Sequence, residues 1–431
     1  MKRMIGAAIA AVAIAVQVPA VSASEATEEP MDTIYVPMRS VVVTGQHSHD
    51  LIGLIYSRED LYFNDPDAPR FLFFDKEGKV ALGIGGQVKG TLHYDFDGAV
   101  TEGADFITNS IPTPANPAQR QAFGGDISHS SIFLRMVGRT SKLGYFSIYF
   151  QTYFVGDAPG KYGLRLKNAY ATLGAFTLGH TNSTFVDPGV GLPTIEEQGP
   201  CGEIARRQLQ FRYAPRFGNH WSAAIAAEIG PMSVSANNHC EQIAQRVPDF
   251  PVYVQYRWKR GHSHVRLAGI VRTMSYRDLM TQKNRFCNGW GLHLSSRIEL
   301  PANFYFLAQA AYGSGIAGYY NDLVGQGVDL IYASDGSGRM KATHTLGIEG
   351  GFYYNGKRFQ ATAGWSYARL YGQSHLGPTT YKYANYVVVN GYYNLLTDLK
   401  CGLEYNWGQR CDMNGVKGHA NRISALLQFS F

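Results

Sequence analysis

Nowhere in this 431-residue chain do eighteen apolar residues run together, so a membrane-spanning helix is excluded. Charge is sparse, at 17% of the residues, and the net charge of +6 is spread along the chain instead of clustered, which leaves no footprint for nucleic acid. Cysteine is scarce and odd in number: Cys201, Cys240, Cys287, Cys401 and Cys411 cannot all pair internally. Cys201 and Cys240 both fall in predicted outer loops, where a bridge and free thiols are equally compatible with the sequence. No CxxC or Cys/His spacing points to zinc. The Asp- and Asn-containing stretch 315–340 lacks the spacing of a calcium loop. No metal or cofactor is therefore expected. Residues 25–75 contain no heptad repeat, and no Pro- or Ser-rich linker divides the remainder of the chain.

What is present begins with a leader. Lys2 and Arg3 precede IGAAIAAVAIAV and a small-residue stretch ending at Ala23 and Ser24, the pattern of a signal peptide over 1–23, so the mature chain is exported. Residues 24–78, polar and irregular, read as a periplasmic N-terminal extension. From residue 79 to the last residue the pattern is that of strands.

The stretch around which the rest is organised runs from Tyr162 to Tyr213. Leu164, Leu166, Tyr170 and Thr172 share one parity and Arg165 and Lys167 the other; Leu209, Phe211 and Tyr213 alternate with Gln208, Gln210 and Arg212. Period two of this kind marks strands with one apolar and one polar face. The intervening loop, about 182–204, carries Asp187, Glu196 and Glu197 and is too long for an ordinary hairpin connection. It is expected to fold inward and narrow a pore. The first strand, 80–96, sets Leu82, Ile84, Val88, Leu92, Tyr94 and Phe96 against Gln87, Lys89, Thr91, His93 and Asp95.

Strands then occur over 128–139, 143–155, 162–173, 176–181, 205–214, 220–230, 251–259, 262–275, 287–299, 304–314, 341–354, 358–371, 384–395, 399–407 and 419–431. Long loops alternate with tight turns, among them Asn355-Gly356. The fold class is all-β: a transmembrane antiparallel β-barrel of about sixteen strands, with short periplasmic turns and long extracellular loops, in the bacterial outer membrane. Closure is what lets strands cross lipid without an unpaired edge. The last strand alternates Ile423, Ala425, Leu427 and Phe429 and ends on an aromatic, Phe431. Tyr145, Trp221, Trp258, Trp290, Trp365 and Trp407 fit interfacial girdles.

With the apolar parity assigned to lipid, the opposite parity faces water. Lys89, Arg135, Arg139, Arg165, Lys167, Arg212, Arg257, Lys259, Arg266, Arg272, Arg297, Lys400 and Arg422 then point inward, against fewer carboxylates: Asp95, Glu228, Glu299, Glu349 and Glu404. An Arg or Lys facing the bilayer centre would cost about 2–4 kcal/mol, which enforces the parity. A cationic lumen concentrates anions, and guanidinium matches carboxylate geometrically. Small or polar inward residues, including Gly83, Gly85, Ser147, Gln151 and Ser295, predict open space. The expected activity is passive diffusion of small anions. If the loop acids enter the lumen, facing rows of opposite charge weaken that preference.

The segments YGLRLKNAYATLGAFTLGHTNSTFVDPG, RRQLQFRYAP, VQYRWKRGHSHVRLAGIVRTMSYRD, GWGLHLSS and YGSGIAGYYND resemble the DcaP-like outer-membrane porins, over roughly Lys79 to Asp322 and more loosely beyond. The resemblance implies sixteen strands, a homotrimer and passive uptake of dicarboxylates and aromatic carboxylates, with Arg165, Lys167, Arg207, Arg212, Arg266 and Arg272 carried over as channel-lining. The coiled-coil-like extension common in that family has no counterpart here, and the loop with Cys201 is more acidic. A phosphate-selective or general porin is the alternative transporter. A barrel enzyme is the rival class: His129 with Ser130 and Ser131, and His293 with Ser295, lack an orienting partner in the sequence pattern.

Overall fold

The computed structural model describes residues 41–42, 49–56, 62–63, 65, 69–98, 105–156, 161–230, 232, 234, 239–333, 339–372 and 376–431; the signal peptide assigned to 1–23 lies outside them. Among the described residues, sixteen antiparallel strands close into a barrel. They are β1 (Val80–Asp97), β2 (Ser131–Thr140), β3 (Gly144–Val155), β4 (Tyr162–Leu173), β5 (Phe176–Asn182), β6 (Arg207–Tyr213), β7 (Trp221–Ile229) and β8 (Phe250–Trp258). The second half comprises β9 (Ser263–Asp278), β10 (Lys283–Glu299), β11 (Phe304–Ser314), β12 (His344–Asn355), β13 (Phe359–Leu370), β14 (Tyr381–Asn394), β15 (Leu399–Asp412) and β16 (Lys417–Ser430). β16 closes on β1, from Asn421 opposite Asp97 to Ser430 opposite Gln87. Phe431 exchanges backbone hydrogen bonds with Gly86, and that seals the seam.

Alternation sets the faces. In β1, Val88 and Leu92 are about half exposed on the outside while Lys89, Thr91 and Asp95 are buried within. Outward aromatics gather at the short-turn rim, where Phe176 packs on Tyr213 and Trp221 on Tyr256, as a girdle requires.

Three differences from the sequence expectation have physical causes. In β4 the register shifts at Lys167: Gln151 pairs Asn168, but Thr152 pairs Leu166. This β-bulge turns Tyr170 and Thr172 inward, with Arg165 and Lys167, while Leu164 and Leu166 stay outside. Tyr170 is buried against Tyr149. At the long-loop rim, β9 and β10 pair on as far as Asp278–Lys283, and β15 and β16 as far as Cys411–Lys417. There the outer face has left the lipid and the inner face is packed, with Tyr276, Asp278 and Cys411 buried, so the alternation that marks a strand vanishes while the hydrogen-bond ladder persists. Lys259 leaves the wall for a turn at φ +50°, where its Nζ donates to the Glu299 carbonyl.

The extension is not irregular throughout. Helix α1 (His49–Ile55) sets Leu51 and Ile55 against Leu72, Phe74, Ala81 and Val137, and Arg135 donates to the Ile55 carbonyl at 2.9 Å. Ala81 and Val137 are inward positions, so α1 lies on the inner wall. Burying Leu51 and Ile55 stabilises this placement by about 1.5–3 kcal/mol each. Residues Phe71–Phe74 pair antiparallel with Ala81–Ile84 of β1, beyond the point where β16 ends. All five cysteines are unbridged; Cys201 lies against Ser366 and Ala384, and Cys240 pairs opposite Asp278 in β9.

Candidate functional site: the lumen

The loop between β5 and β6, residues 183–206, enters the bore, and inward groups of the wall hold it there. Glu228 of β7 accepts from Ser183 Oγ at 2.6 Å and Thr184 N–H at 2.7 Å. Asp187 accepts from His264 Nε2 at 2.9 Å and Ser295 Oγ at 2.5 Å, with Arg266 Nε 3.7 Å away. Burial would raise the Asp187 carboxyl, but Arg266 and His264 outweigh it and hold it well below the usual range. Further along, Glu349 of β12 accepts from the Leu192 N–H, and Glu404 of β15 accepts from the N–H groups of Ile195 and Glu196 at 2.6 and 3.1 Å. Glu197 pairs with Lys89; that neighbour, with His129, overcomes burial and keeps Glu197 at about 2. Glu196 accepts from Phe106 N–H, Gln198 N–H, Gly199 N–H and Tyr386 Oη–H.

Two further segments join it. Phe106, Thr108, Asn109 and Ile111, and Ala317 to Leu323 before β12, are buried inside: Asn109 Nδ2 donates to the Asp322 carbonyl and Tyr320 Oη–H to the Ala311 carbonyl. Phe106, Phe185, Val186, Leu192, Tyr319 and Tyr320 share one apolar cluster. The bore therefore has an apolar core of its own, which the alternation of the strands does not reveal.

Ser147 lines a cavity of about 560 Å³, but the other small inward residues make room for chain rather than water. A Cβ at Gly83 or Gly85 would meet Pro69 at 2.9 and 2.8 Å, and one at Gly347 would collide with the Tyr320 ring. Ser295 is bonded to Asp187, and Gln151 is buried on Asn168.

The expected cations sort into three groups. Lys89 and Arg272 do not present a charge to an open bore, and Arg135 is largely engaged although it lines a cavity of about 560 Å³ with Arg212 and Arg216. Lys89 anchors the loop through Glu197 and the Ile195 carbonyl. Arg135 serves α1 and lies over the Tyr149 ring. Arg272, 1% exposed, is paired with Asp249 at 2.9 Å and Asp329 at 3.4 Å. Arg422 is likewise held bidentately by Asp95. The second group, Arg165, Lys167 and Arg207, lines a cavity of about 520 Å³ with Glu197, Glu203 and Asp65. The third, Arg212, Arg257, Arg266 and Arg297, lines a cavity of about 610 Å³ at the short-turn rim, together with Arg216 and Arg260. Asp187 is the one carboxylate there among the described residues. Sequence reasoning missed Arg216 and Arg260, which lie in turns where parity carries no information. It also missed Asp65, from a segment that alternation does not reach. Arg266 lies 4.3 Å above the Tyr253 ring and Arg297 4.6 Å above that of Tyr305, fixing both guanidinium planes.

A closed barrel with an apolar outside, an aromatic rim and a charged bore crossed by an inward loop defines an outer-membrane channel of the porin type. The model of the DcaP outer membrane protein family matches residues 76–431, and the chain belongs to that family. Among solved structures, the outer membrane channel DcaP of Acinetobacter baumannii is similar at 17% identity, covering 83% of this chain and 99% of that one, with a TM-score of 0.70. The anion-selective porin from Comamonas acidovorans is similar at 9% identity, covering 82% and 100%, with a TM-score of 0.53. A trimer form of OmpT from Vibrio cholerae is similar at 10% identity, covering 82% and 100%, with a TM-score of 0.50. No curated protein matches the sequence.

Proposed function

We propose that this channel carries small anionic solutes by passive diffusion, with dicarboxylates and aromatic carboxylates as the preferred class. The supporting observation is the charge of the short-turn cavity, six arginines around a single carboxylate that is itself bonded to His264 and Ser295. Low-dielectric walls focus such a field and raise the local anion concentration. Guanidinium planes laid on tyrosine rings present a flat, forked donor set suited to carboxylate. The inward loop, with Asp187, Glu196 and Glu197, is the constriction in this reading, and residues 24–78 are periplasmic in origin. Export by a cleaved leader and assembly as a homotrimer in outer-membrane lipid complete it.

A phosphate-selective or general porin is the alternative, and one measurement separates them. The reversal potential of the full channel under a salt gradient is to show anion preference, weakened by neutralising Arg212, Arg266 and Arg297 in turn. Cation preference in the native channel would defeat the proposal, and phosphate outcompeting succinate for the pore would select the alternative. The inward His/Ser pair of β10 is engaged in packing the loop: Ser295 donates to Asp187, and His293 sits between the Phe185 carbonyl and Gln309 Oε1.

A further inference from the structure

Lys167 and Arg207 meet a carboxylate from outside the barrel strands. The Asp65 side chain, fully buried, places Oδ1 2.8 Å from Lys167 Nζ and 3.5 Å from Gln151 Nε2, and Oδ2 3.9 Å from an Arg207 nitrogen. Oδ2 also accepts the Tyr62 N–H at 3.1 Å. Two rings flank this carboxylate. Tyr62 lies beneath the Arg207 guanidinium at 5.4 Å, and Phe63 packs edge-on against Tyr353 at 5.1 Å with Lys400 Nζ over its face. Asp65 thus touches β3, β4 and β6, while Phe63 touches β12, β14 and β15 on the other side of the bore.

We infer that Lys167, Arg207 and Gln151 form a carboxylate-binding site within the lumen, and that Asp65 is the chain's own carboxylate held in it. A permeating carboxylate and Asp65 then compete for the same charges. This rests on the anion-transport reading and specifies one of its sites. Burial would raise the Asp65 carboxyl, but Lys167 and Arg207 outweigh it and hold it at about 2, so it is ionised at neutral pH. The site has capacity beyond its resident. The buried Arg207 Nε–H has no hydrogen-bond partner among the described residues, and the neighbouring Arg165 is exposed, donating to the Gly156 carbonyl. Rings beside the carboxylate favour a solute that is itself aromatic.

The test uses the full-length channel in planar bilayers, with succinate as a blocker of chloride current. Asp65→Asn removes the competing charge while keeping the shape. Its succinate block is expected to tighten about fivefold, the factor one unit charge contributes at about 4 Å in a water-like medium. Adding Lys167→Met is to abolish the gain. Should Asp65→Asn fail to assemble, Asp65→Ser carries the same expectation in a smaller side chain. Unchanged or weaker block in the folded variant, or a gain that survives loss of Lys167, would overturn the inference. A native channel that prefers anions while Asp65→Asn changes nothing refutes this site alone. A native channel that prefers cations while Asp65→Asn gains succinate block refutes the broader reading alone.

Discussion

Truncating Glu404 to alanine tests whether the inward loop is held by the wall. Glu404 accepts two backbone N–H groups of the inward loop, from Ile195 and Glu196, and one from Asn390 Nδ2 at 2.8 Å. Hydrogen bonds to a charged acceptor contribute about 1.5–3 kcal/mol each, so losing the two loop contacts costs about 3–6 kcal/mol. Burial, and then the nearby Glu404, push the Glu196 carboxyl up to about 8, so at neutral pH Glu196 is largely protonated and its loss of a like-charge neighbour offsets little of this. Even the lower end of that cost shifts the seated-to-released ratio about a hundredfold. The barrel survives, because β14–β15 and β15–β16 pairing is backbone to backbone over more than a dozen positions. Single-channel recording is the assay: Glu404→Ala is expected to show higher mean conductance with added open-state fluctuation. A correctly folded variant with the native conductance and a quiet trace would refute the claim that inward carboxylates hold the loop.

Gly347→Ala drives a methyl into the Tyr320 ring and to 2.5 Å from the Gly202 carbonyl, so it should destabilise the inner packing by about 1–3 kcal/mol, read as a lower unfolding temperature and altered conductance. Arg272→Met leaves Asp249 and Asp329 buried without their cation and should cost about 3–5 kcal/mol of stability, measured by thermal unfolding. Leu292→Arg, at an outward position 54% exposed in mid-strand, should cost about 2–4 kcal/mol of folding free energy in lipid while sparing selectivity. His129 gives a pH dependence: burial lowers it, but Glu197, Asp126 and Asp105 outweigh burial and raise it above 6.5. A raised pKa means its stabilisation is full below 6.5 and is lost as pH rises through the folded value. Conductance noise should therefore grow on the alkaline side in the native channel and less so in His129→Gln.

The fold was legible in the sequence wherever a force leaves a periodic trace. The hydrocarbon outside imposes period two on every strand that crosses it, so Val88, Leu92, Leu209 and Phe211 declare their face and all sixteen strands could be counted. Above the lipid that constraint ends, and the β9–β10 and β15–β16 hairpins run on unseen. The bulge at Lys167 reversed parity for Tyr170 and Thr172, because one inserted residue flips every side chain beyond it. The inward loop could be anticipated from its length and acids, but its anchors could not. Glu228, Glu349 and Glu404 read as lumen charges whether they face a solute or a backbone amide.

The same ambiguity decides the electrostatics. Counting inward cations treats Lys89, Arg272 and Arg422 as equal to Arg297, yet the first three are consumed by Glu197, by Asp249 with Asp329, and by Asp95. The remaining cations are divided by the loop into two compartments of different character. On one side Arg165, Lys167, Arg206 and Arg207 face Asp65, Asp105, Glu197 and Glu203, a mixed field; on the other, six arginines face Asp187. An anion crossing this lumen would first have to exchange for carboxylates already in place and then be drawn on by charge that is largely unopposed. Neutralising Arg297 should therefore reduce the anion-to-cation permeability ratio more than neutralising Arg165, whose charge is offset nearby. The reverse order, measured as reversal potentials on the two single variants, would place the selectivity filter on the long-loop side and refute this division of the lumen.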